Sequence, residues 1–170
     1  EMVNDDMPFL VDSVRAAINE TGLTVQLTIH PIFRVIRDKE NNLLDILPRK
    51  KNQTAGVAES IIRLEIDRES DEDALKKLIQ HLKVVLADVR NAVEDWGKMR
   101  NKAKEICEDI EQNPPHIDEA TVAESVALIR WMENNHFTLL GYREYELERG
   151  ENKDILNPLP KTGLGILRST

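Results

Sequence analysis

The first 37 residues constrain the fold most, because they carry the signals of a strand, a helix and a second strand in close succession. Pro8 suits the first turn of a helix, where its missing N–H costs nothing. Asp5 and Asp6 come just before it, so their carboxylates are placed to cap the free N–H groups of that turn. Apolar residues then recur on one helical face, at Leu10, Val11, Val14 and Ile18. The pattern predicts an amphipathic helix that begins around Pro8.

The helix is predicted to end at Gly22, because glycine readily adopts the left-handed conformation that follows a helix. Alternate apolar residues then predict a half-buried strand, at Leu23, Val25, Leu27 and Ile29. Pro31 lacks a backbone N–H, so a sheet edge or a bulge is expected there. The apolar pattern resumes beyond the proline, at Phe33, Val35 and Ile36.

Two further strands are predicted before the next helix. Residues 43–47 form a short apolar run after a turn-like segment. Residues 60–67 alternate clearly, since Ile62, Leu64 and Ile66 face one way and charged residues face the other. The second of these patterns is typical of a strand with one face on the core and one in solvent.

A long helix follows, and its apolar stripe is longer than a small sheet can cover. Ser70 is the predicted N-cap, with acidic residues after it that suit the helix dipole. The stripe runs from residue 75 to Trp96 and continues to residue 110, before prolines 114 and 115. Gly97 is a candidate break, although glycine costs only about 1 kcal/mol in a helix. A continuous helix would be roughly 60 Å long, so the stripe needs a partner, and its candidate interface residues are Leu82, Val89 and Trp96.

After the prolines, Asp118 is the predicted cap of another helix. Residues 137–147 then predict a strand with Gly141 as a bulge, and residues 155–159 and 164–167 predict short final strands. Two alternatives stay open for the strand at 137–147. It closes the first sheet across a helical insertion, or it opens a second module, and the sequence slightly favours the second.

These elements predict an α+β fold with a ferredoxin-like β-α-β-β-α sheet and a long second helix, followed by a helix and a further small β unit. The predicted domains are residues 1–97, a helical extension with the proline linker at 98–116, and residues 117–170.

Composition limits the partners of the chain. The net charge of −8 disfavours a nucleic-acid or anionic-membrane surface, and no apolar run approaches the roughly 20 residues that span a bilayer. Cys107 is the single cysteine, so an internal disulfide is excluded and a reducing cytoplasm is expected. The chain begins with Glu1, and we expect it to be part of a longer polypeptide.

Several runs resemble one family in the same order along nearly the whole chain. They are VNDDMPFLVDS at residues 3–13, GLTV at 22–25 with IHP at 29–31, LEIDR at 64–68, VR at 89–90 with VEDW at 93–96, HFTLLGYREY at 136–145 and TGLGILR at 162–168. The chain resembles the N-terminal region of the large bacterial NAD-specific glutamate dehydrogenases, which lies upstream of the catalytic domain and is similar to ACT-type regulatory modules.

The resemblance implies a function for the parent protein and another for this part of it. The parent is expected to convert L-glutamate and NAD into 2-oxoglutarate, ammonium and NADH. This segment is expected to be non-catalytic, cytoplasmic and without its own cofactor, because the family's catalytic lysines and dinucleotide glycines have no matching positions here. Its expected partners are the other domains and subunits of the parent, together with an amino-acid effector. The alternative is a purely structural module for interdomain or oligomer contacts that binds no small ligand.

The turn after the first strand is the candidate effector site, formed by Asn4, Asp5, Asp6 and Met7. A strand that turns into a helix presents free N–H groups that can hold a small ligand, and the resemblance to ACT modules points to the same turn. Two carboxylates would repel the carboxylate of an amino acid, so simple helix capping is the competing interpretation.

Other chemistry finds little support. The four histidines lie far apart in sequence and the cysteine has no CxxC partner, which disfavours a metal site, and His30 is predicted to be a hydrogen-bonded strand residue. Gly163 and Gly165 form a GxG without the third glycine and helix that a dinucleotide site needs. The basic group at residues 49–51 is predicted to be a solvated loop rather than a docking site for an acidic partner.

Overall fold

A computed structural model describes residues 1–48, 54–150 and 153–168 of the chain. The predicted basic loop at residues 49–51 lies outside the described residues. The chain divides into two units, Glu1–Val89 and Arg90–Thr170. The predicted domain bounds at residues 97 and 116 stay predictions.

An antiparallel sheet of five strands organises the first unit, with β5 in its centre. The elements in order are β1 (Met2–Asp5), α1 (Leu10–Glu20), β2 (Val25–Ile29), β3 (Ile32–Arg37), β4 (Leu43–Leu47), β5 (Val57–Ile66) and α2 (Glu72–Gln112). β1 pairs with one edge of β5, and β2 and β3 pair with its other edge. This is the split βαβ arrangement of a ferredoxin-like sheet, so the predicted ACT-like α+β fold is confirmed.

β2 and β3 follow one register along β5 despite the proline between them. Ile29 is opposite Arg63, and Ile32 is opposite Ser60. The carbonyl of Pro31 accepts from the N–H of Ile61 at 3.0 Å. The proline interrupts the ladder only through its missing donor, and strand character resumes after it as predicted.

The predicted alternation along β2 is wrong, because the register shifts between Val25 and Leu27. A bulge of this kind moves every later side chain to the opposite face. Val25 is half-buried against the core, whereas Leu27 and Ile29 are 44% and 45% exposed on the open face of the sheet.

The core of the first unit lies between the sheet and two helices. Val14 and Ile18 of α1 and Leu78 of α2 are buried together. Half-buried apolar residues from both sheet and helix pack against them, among them Met2, Leu64, Ile66, Leu82 and Leu86. The apolar face predicted for residues 60–67, with Ile62, Leu64 and Ile66, is therefore the face of β5 that packs on the helices.

The start of α1 differs from the prediction, whereas its end agrees with it. The residue before the helix is Phe9, with φ of 70° and no side-chain cap, and Pro8 lies in the preceding turn. Asp5 and Asp6 therefore lie too early to act as the predicted N-cap. At the other end Gly22 has φ of 84° directly after the C-cap residue Thr21, as the glycine signal predicted.

α2 is continuous through Gly97, so the candidate break there is not used. The helix begins after Asp71, whose carboxylate accepts from the N–H of Asp73 at 2.8 Å. Asp71, rather than the predicted Ser70, is the N-cap. Along the described residues, we find no helix whose length and apolar character would let it cross a membrane.

The second unit adds α3 (Glu119–Trp131), a π-helical turn (Met132–His136), β6 (Gly141–Tyr142), β7 (Tyr145–Glu148), β8 (Ile155–Pro158) and β9 (Leu164–Gly165). Asp118 caps α3 as predicted, since its carboxylate accepts from the N–H of Thr121 at 2.9 Å. β6 pairs with β9, and β7 pairs with β8. Within the described residues, the predicted strand at 137–147 thus contributes to two small sheets in the second unit.

Candidate functional site

The four predicted effector residues lie where β1 leaves the sheet. Asn4 and Met7 are half-buried, and Asp5 and Asp6 are exposed. The backbone N–H of Asp6 donates to the carbonyl of Ala58 at 2.9 Å, which holds the departing chain against β5. The Nδ2 amide of Asn4 donates to the carbonyl of Asp5 at 3.2 Å.

A hydrogen-bonded relay links this turn to the centre of the sheet. Ser60 Oγ lies 2.6 Å from Oδ1 of Asp6 and 3.0 Å from Nε2 of His30. An ionised carboxylate only accepts, so the hydroxyl of Ser60 donates to Asp6 and the ring N–H of His30 donates to Ser60. The predicted histidine is therefore hydrogen-bonded, although it lies between β2 and β3 and not in a strand. Asp6 is positioned directly by Ser60 of β5.

Ser60 is the member of this relay that sequence reasoning missed. Its side chain is fully buried, and it lies on the same face of β5 as the apolar residues Ile62 and Leu64. A hydroxyl at a core-facing position of a strand needs a polar partner. The serine in the apolar pattern of β5 could therefore have indicated a buried hydrogen bond.

A buried ion pair lies beside the turn, on the opposite face of β5. Glu59 is buried and stands opposite Asp5 in β1. Arg37 binds it with two bonds, from Nε at 2.5 Å and from Nη2 at 2.8 Å. The hydrogen bonds from Arg37 hold the pKa of Glu59 below its usual value, although burial and the charge of Asp5 act against this. The charge of Glu59 is thus already matched within the chain.

The second unit is built around a fully buried carboxylate, that of Asp95 in α2. Its Oδ2 accepts from the backbone N–H of Gly165 at 3.0 Å and from Nε of Arg168 at 2.9 Å. Its Oδ1 accepts from Nζ of Lys98 at 2.9 Å. Burial alone would raise the pKa of Asp95, but these donors outweigh it and lower the pKa to about 2.

The position of Asp95 on the helix could have indicated that its side chain is buried. Ala92, Asp95 and Met99 are all buried and follow one another at spacings of three and four, which places them on one helical face. The predicted stripe passed through Trp96 instead, whose side chain is 40% exposed and stacks under the guanidinium of Arg100 at 5.1 Å. At this point of the helix Asp95, rather than Trp96, takes the buried position, whereas Val89 and Met99 of the predicted stripe are buried.

The glycines at 163 and 165 serve this packing and do not fit a dinucleotide. A Cβ on Gly165 would lie 2.1 Å from the carbonyl oxygen of Leu140, and one on Gly163 would lie 2.1 Å from that of Leu167. Both glycines are thus needed for close approach within the chain. The described residues after them form a turn rather than the helix that would receive a pyrophosphate.

The three predicted interface residues occupy different environments. Leu82 packs against the core of the first unit, and Val89 is buried. Trp96 presents much of its ring to solvent. An interface role for the three stays a prediction, and substitution of Trp96 tests it with the least disturbance of the fold.

The chain matches known proteins along its length. The model of the glutamate dehydrogenase ACT1 domain matches residues 1–82. NAD-specific glutamate dehydrogenases from Halomonas elongata and Pseudomonas aeruginosa are 34% and 32% identical over 98% and 99% of the chain. The one from Mycobacterium tuberculosis is 25% identical over 99%. The chain spans about 10% of the length of each of these relatives. Residues 1–82 therefore match the ACT1 domain of glutamate dehydrogenases, and the chain as a whole is similar to the N-terminal region of NAD-specific glutamate dehydrogenases.

Proposed function

We propose that the chain is a non-catalytic regulatory and assembly segment of a large cytoplasmic NAD-dependent glutamate dehydrogenase. The parent would oxidise L-glutamate with NAD to 2-oxoglutarate, ammonium and NADH. NAD would bind in another part of the parent, since the space beside the glycines at 163 and 165 is occupied by other backbone atoms of the chain. The other domains and subunits of the parent would be the partners of this segment. A net charge of −8 argues against nucleic acid or an anionic membrane as a partner.

We place an amino-acid effector at the turn after β1, and the relay of Asp6, Ser60 and His30 is the observation that carries this. Ser60 binds one oxygen of the Asp6 carboxylate, and the exposed position of Asp6 makes the other oxygen suitable for an ammonium group. The first N–H groups of α1 have no partner within the helix, and they suit the carboxylate of the same ligand. Acidic side chains would be repelled by Asp5 and Asp6, so a neutral amino acid fits best.

Regulation by such a site needs more than binding. An effector shifts a domain arrangement only when it binds one arrangement more tightly than the other. The relay connects the ligand turn to β5. β5 is the central strand of the first unit, because β1, β2 and β3 all pair with it. Ordering of the turn by a ligand would therefore act on the centre of the sheet.

The test uses the longer dehydrogenase that contains this chain. We expect a neutral amino acid to change the glutamate-dependent reduction of NAD, and the Asp6→Asn variant to lose at least tenfold in the concentration of effector needed. Asp73→Asn is the matched control, because Asp73 is an exposed aspartate at the start of α2, and it should respond like the wild type. An unchanged response in Asp6→Asn would remove the effector site from this turn.

An assembly role without a ligand is the second candidate, and the open face of the sheet favours it. Val3, Ile29 and Phe33 are 57%, 45% and 38% exposed on the face opposite the helices. Exposed apolar residues that share one open face of a sheet mark contact surfaces. Ile29→Asp should then lower the assembly state of the parent in sedimentation, with no change in the response to an amino acid. Normal assembly of that variant would count against this second role.

A further inference from the structure

A groove of about 820 Å³ lies in the second unit, where the end of α2, the loop with the two prolines and α3 meet. Two rows of side chains at helical spacing form its α3 wall. They are Val122 with Val126, and Glu119 with Ala123, Ala127 and Arg130. The longer row extends over roughly 16 Å at 1.5 Å per residue, which matches the length of about three turns of another helix.

The loop that closes the groove at one end is held by its own backbone. Pro114 and Pro115 line the groove, and their rings restrict the φ angles of this wall. The N–H of Ile117 donates to the carbonyl of Pro115 at 2.8 Å, and Asp118 caps α3 through the N–H of Thr121. The wall is thus formed before a partner arrives, which lowers the entropy cost of docking.

The inner surface of the groove is apolar. Val126 is buried at its base, and Ile110 and Val122 are half-buried beside it. Ala123 and Ala127 are exposed along the α3 wall, and their short side chains let the backbone of a partner come close to α3. The groove therefore suits apolar side chains that project from one face of a partner helix.

The charge around the groove is negative. Residues 108–119 contain five acids and no lysine or arginine. Glu111 is paired with Arg130, whose Nη2 lies 2.7 Å from it. Within the described part of the chain, Glu119 on the α3 wall takes part in no hydrogen bond or ion pair. A partner with cations beside its apolar face complements this rim, whereas a second copy of the chain would bring the same acids and be repelled.

We propose that the groove is the docking site of an amphipathic helix from another part of the same dehydrogenase. Its apolar face enters the groove, as in other helix-in-groove contacts, and lysine or arginine residues beside that face meet the acidic rim. The proposal rests on the proposed place of the chain in a longer dehydrogenase, but not on the effector turn, with which the groove shares no residue. The chain spans about 10% of the length of its relatives, so most of such a protein lies outside it.

The first test measures the binding of a fluorescein-labelled peptide to the chain by fluorescence anisotropy. The probe is a helical peptide of leucine and lysine, about three turns long, with its leucines on one face. We expect saturable binding of this peptide. A peptide of the same composition with its leucines spread around the helix should bind at least tenfold more weakly, and so should a version with glutamate in place of lysine. Absence of saturable binding to the folded chain, or equal binding of the three peptides, would overturn the proposal.

Two lysine substitutions in α3 distinguish the groove from the rest of the acidic surface. Ala123→Lys places a cation within the groove, and we expect it to lower the affinity for the amphipathic peptide at least tenfold. Ser125→Lys is the matched control, because Ser125 is an exposed residue of the same helix outside the groove, and its affinity should change less than twofold. Equal losses in the two variants would show that the peptide responds only to net charge and would overturn the docking site.

Circular dichroism melting shows whether each variant is folded. Ala127→Lys, at a second exposed position of the groove, replaces Ala123→Lys if that variant does not fold.

The longer dehydrogenase tests the source of the helix. A helix of the same polypeptide would occupy the groove at a high effective concentration, so the labelled peptide should bind the dehydrogenase at least tenfold more weakly than the chain alone. Equal affinities would show that the groove is open in the dehydrogenase and would overturn docking from within it. These results are separate from the response of the dehydrogenase to an amino acid, so failure of the effector site and failure of the docking site are distinguishable.

Discussion

The backbone N–H of Gly165 donates to the carboxylate of Asp95 at 3.0 Å, across 70 residues of chain. Asp95 is fully buried, and Gly165 sits where no side chain fits. The buried carboxylate of Asp95 needs the backbone N–H of Gly165 as a donor. Position 165 must in turn be glycine, because a Cβ there would overlap the carbonyl of Leu140. This bond therefore joins α2 to β9 within the second unit.

Loss of the Asp95 charge should destabilise the second unit. Asp95→Asn leaves Arg168 without its buried partner, and we expect a loss of about 3 kcal/mol in the free energy of unfolding. Both tryptophans, Trp96 and Trp131, lie in this unit, so urea denaturation followed by tryptophan fluorescence reports on it. Glu94→Gln is the control, because Glu94 pairs with the same arginine at the surface, and it should cost less than about 1 kcal/mol. Equal losses in the two variants would contradict the central role of Asp95.

The same carboxylate predicts an acid-dependent loss of stability. The pKa of Asp95 is lowered from 3.8 to about 2 in the folded chain. A lowered pKa contributes stability above the unfolded value, and this contribution is lost as the pH falls from about 4 towards 2. The shift corresponds to about 2 kcal/mol. The difference in unfolding free energy between the wild type and Asp95→Asn should therefore shrink over this window, and a constant difference from pH 6 to pH 3 would contradict the low pKa.

Two glycine substitutions should have opposite effects. A methyl group on Gly165 would overlap the carbonyl of Leu140, and the φ of 61° disfavours any side chain there. Gly165→Ala should cost at least about 2 kcal/mol. Gly97 lies in the middle of α2 with nothing within 4 Å of a new Cβ, so Gly97→Ala should stabilise by about 0.5–1 kcal/mol. Thermal unfolding of both variants checks the pair, and a stabilised Gly165→Ala would show that this turn is not constrained.

The first sheet was predictable because its elements carry local signals. Gly22 ended α1 as expected, and the alternation of Ile62, Leu64 and Ile66 identified the central strand and its buried face. The bulge before Leu27 was not predictable, because it depends on how β2 pairs with β5. The start of α1 was missed for a similar reason, since Phe9 adopts a left-handed conformation that its sequence does not favour.

The sites were less predictable than the fold. Asp6 was a candidate from its position in the chain, but its partner Ser60 lies in β5, and the next member of the relay, His30, lies between β2 and β3. No spacing in the sequence joins these residues. Asp95 was not singled out, because the sequence of α2 holds many acids and nothing in it marks this one as buried. Its partner Arg168 lies 73 residues away, so only the fold identifies the pair.

Calorimetric titration of the wild-type chain against aspartate, glutamate and branched-chain amino acids tests the regulatory assignment most directly. We predict saturable binding of a neutral amino acid with a component that Asp6→Asn abolishes and Asp73→Asn keeps. We also predict weaker binding of aspartate and glutamate at that turn. Absence of any binding component sensitive to Asp6→Asn, in a sample with an intact melting transition, would contradict an effector site after β1 and leave the assembly role as the function of the segment.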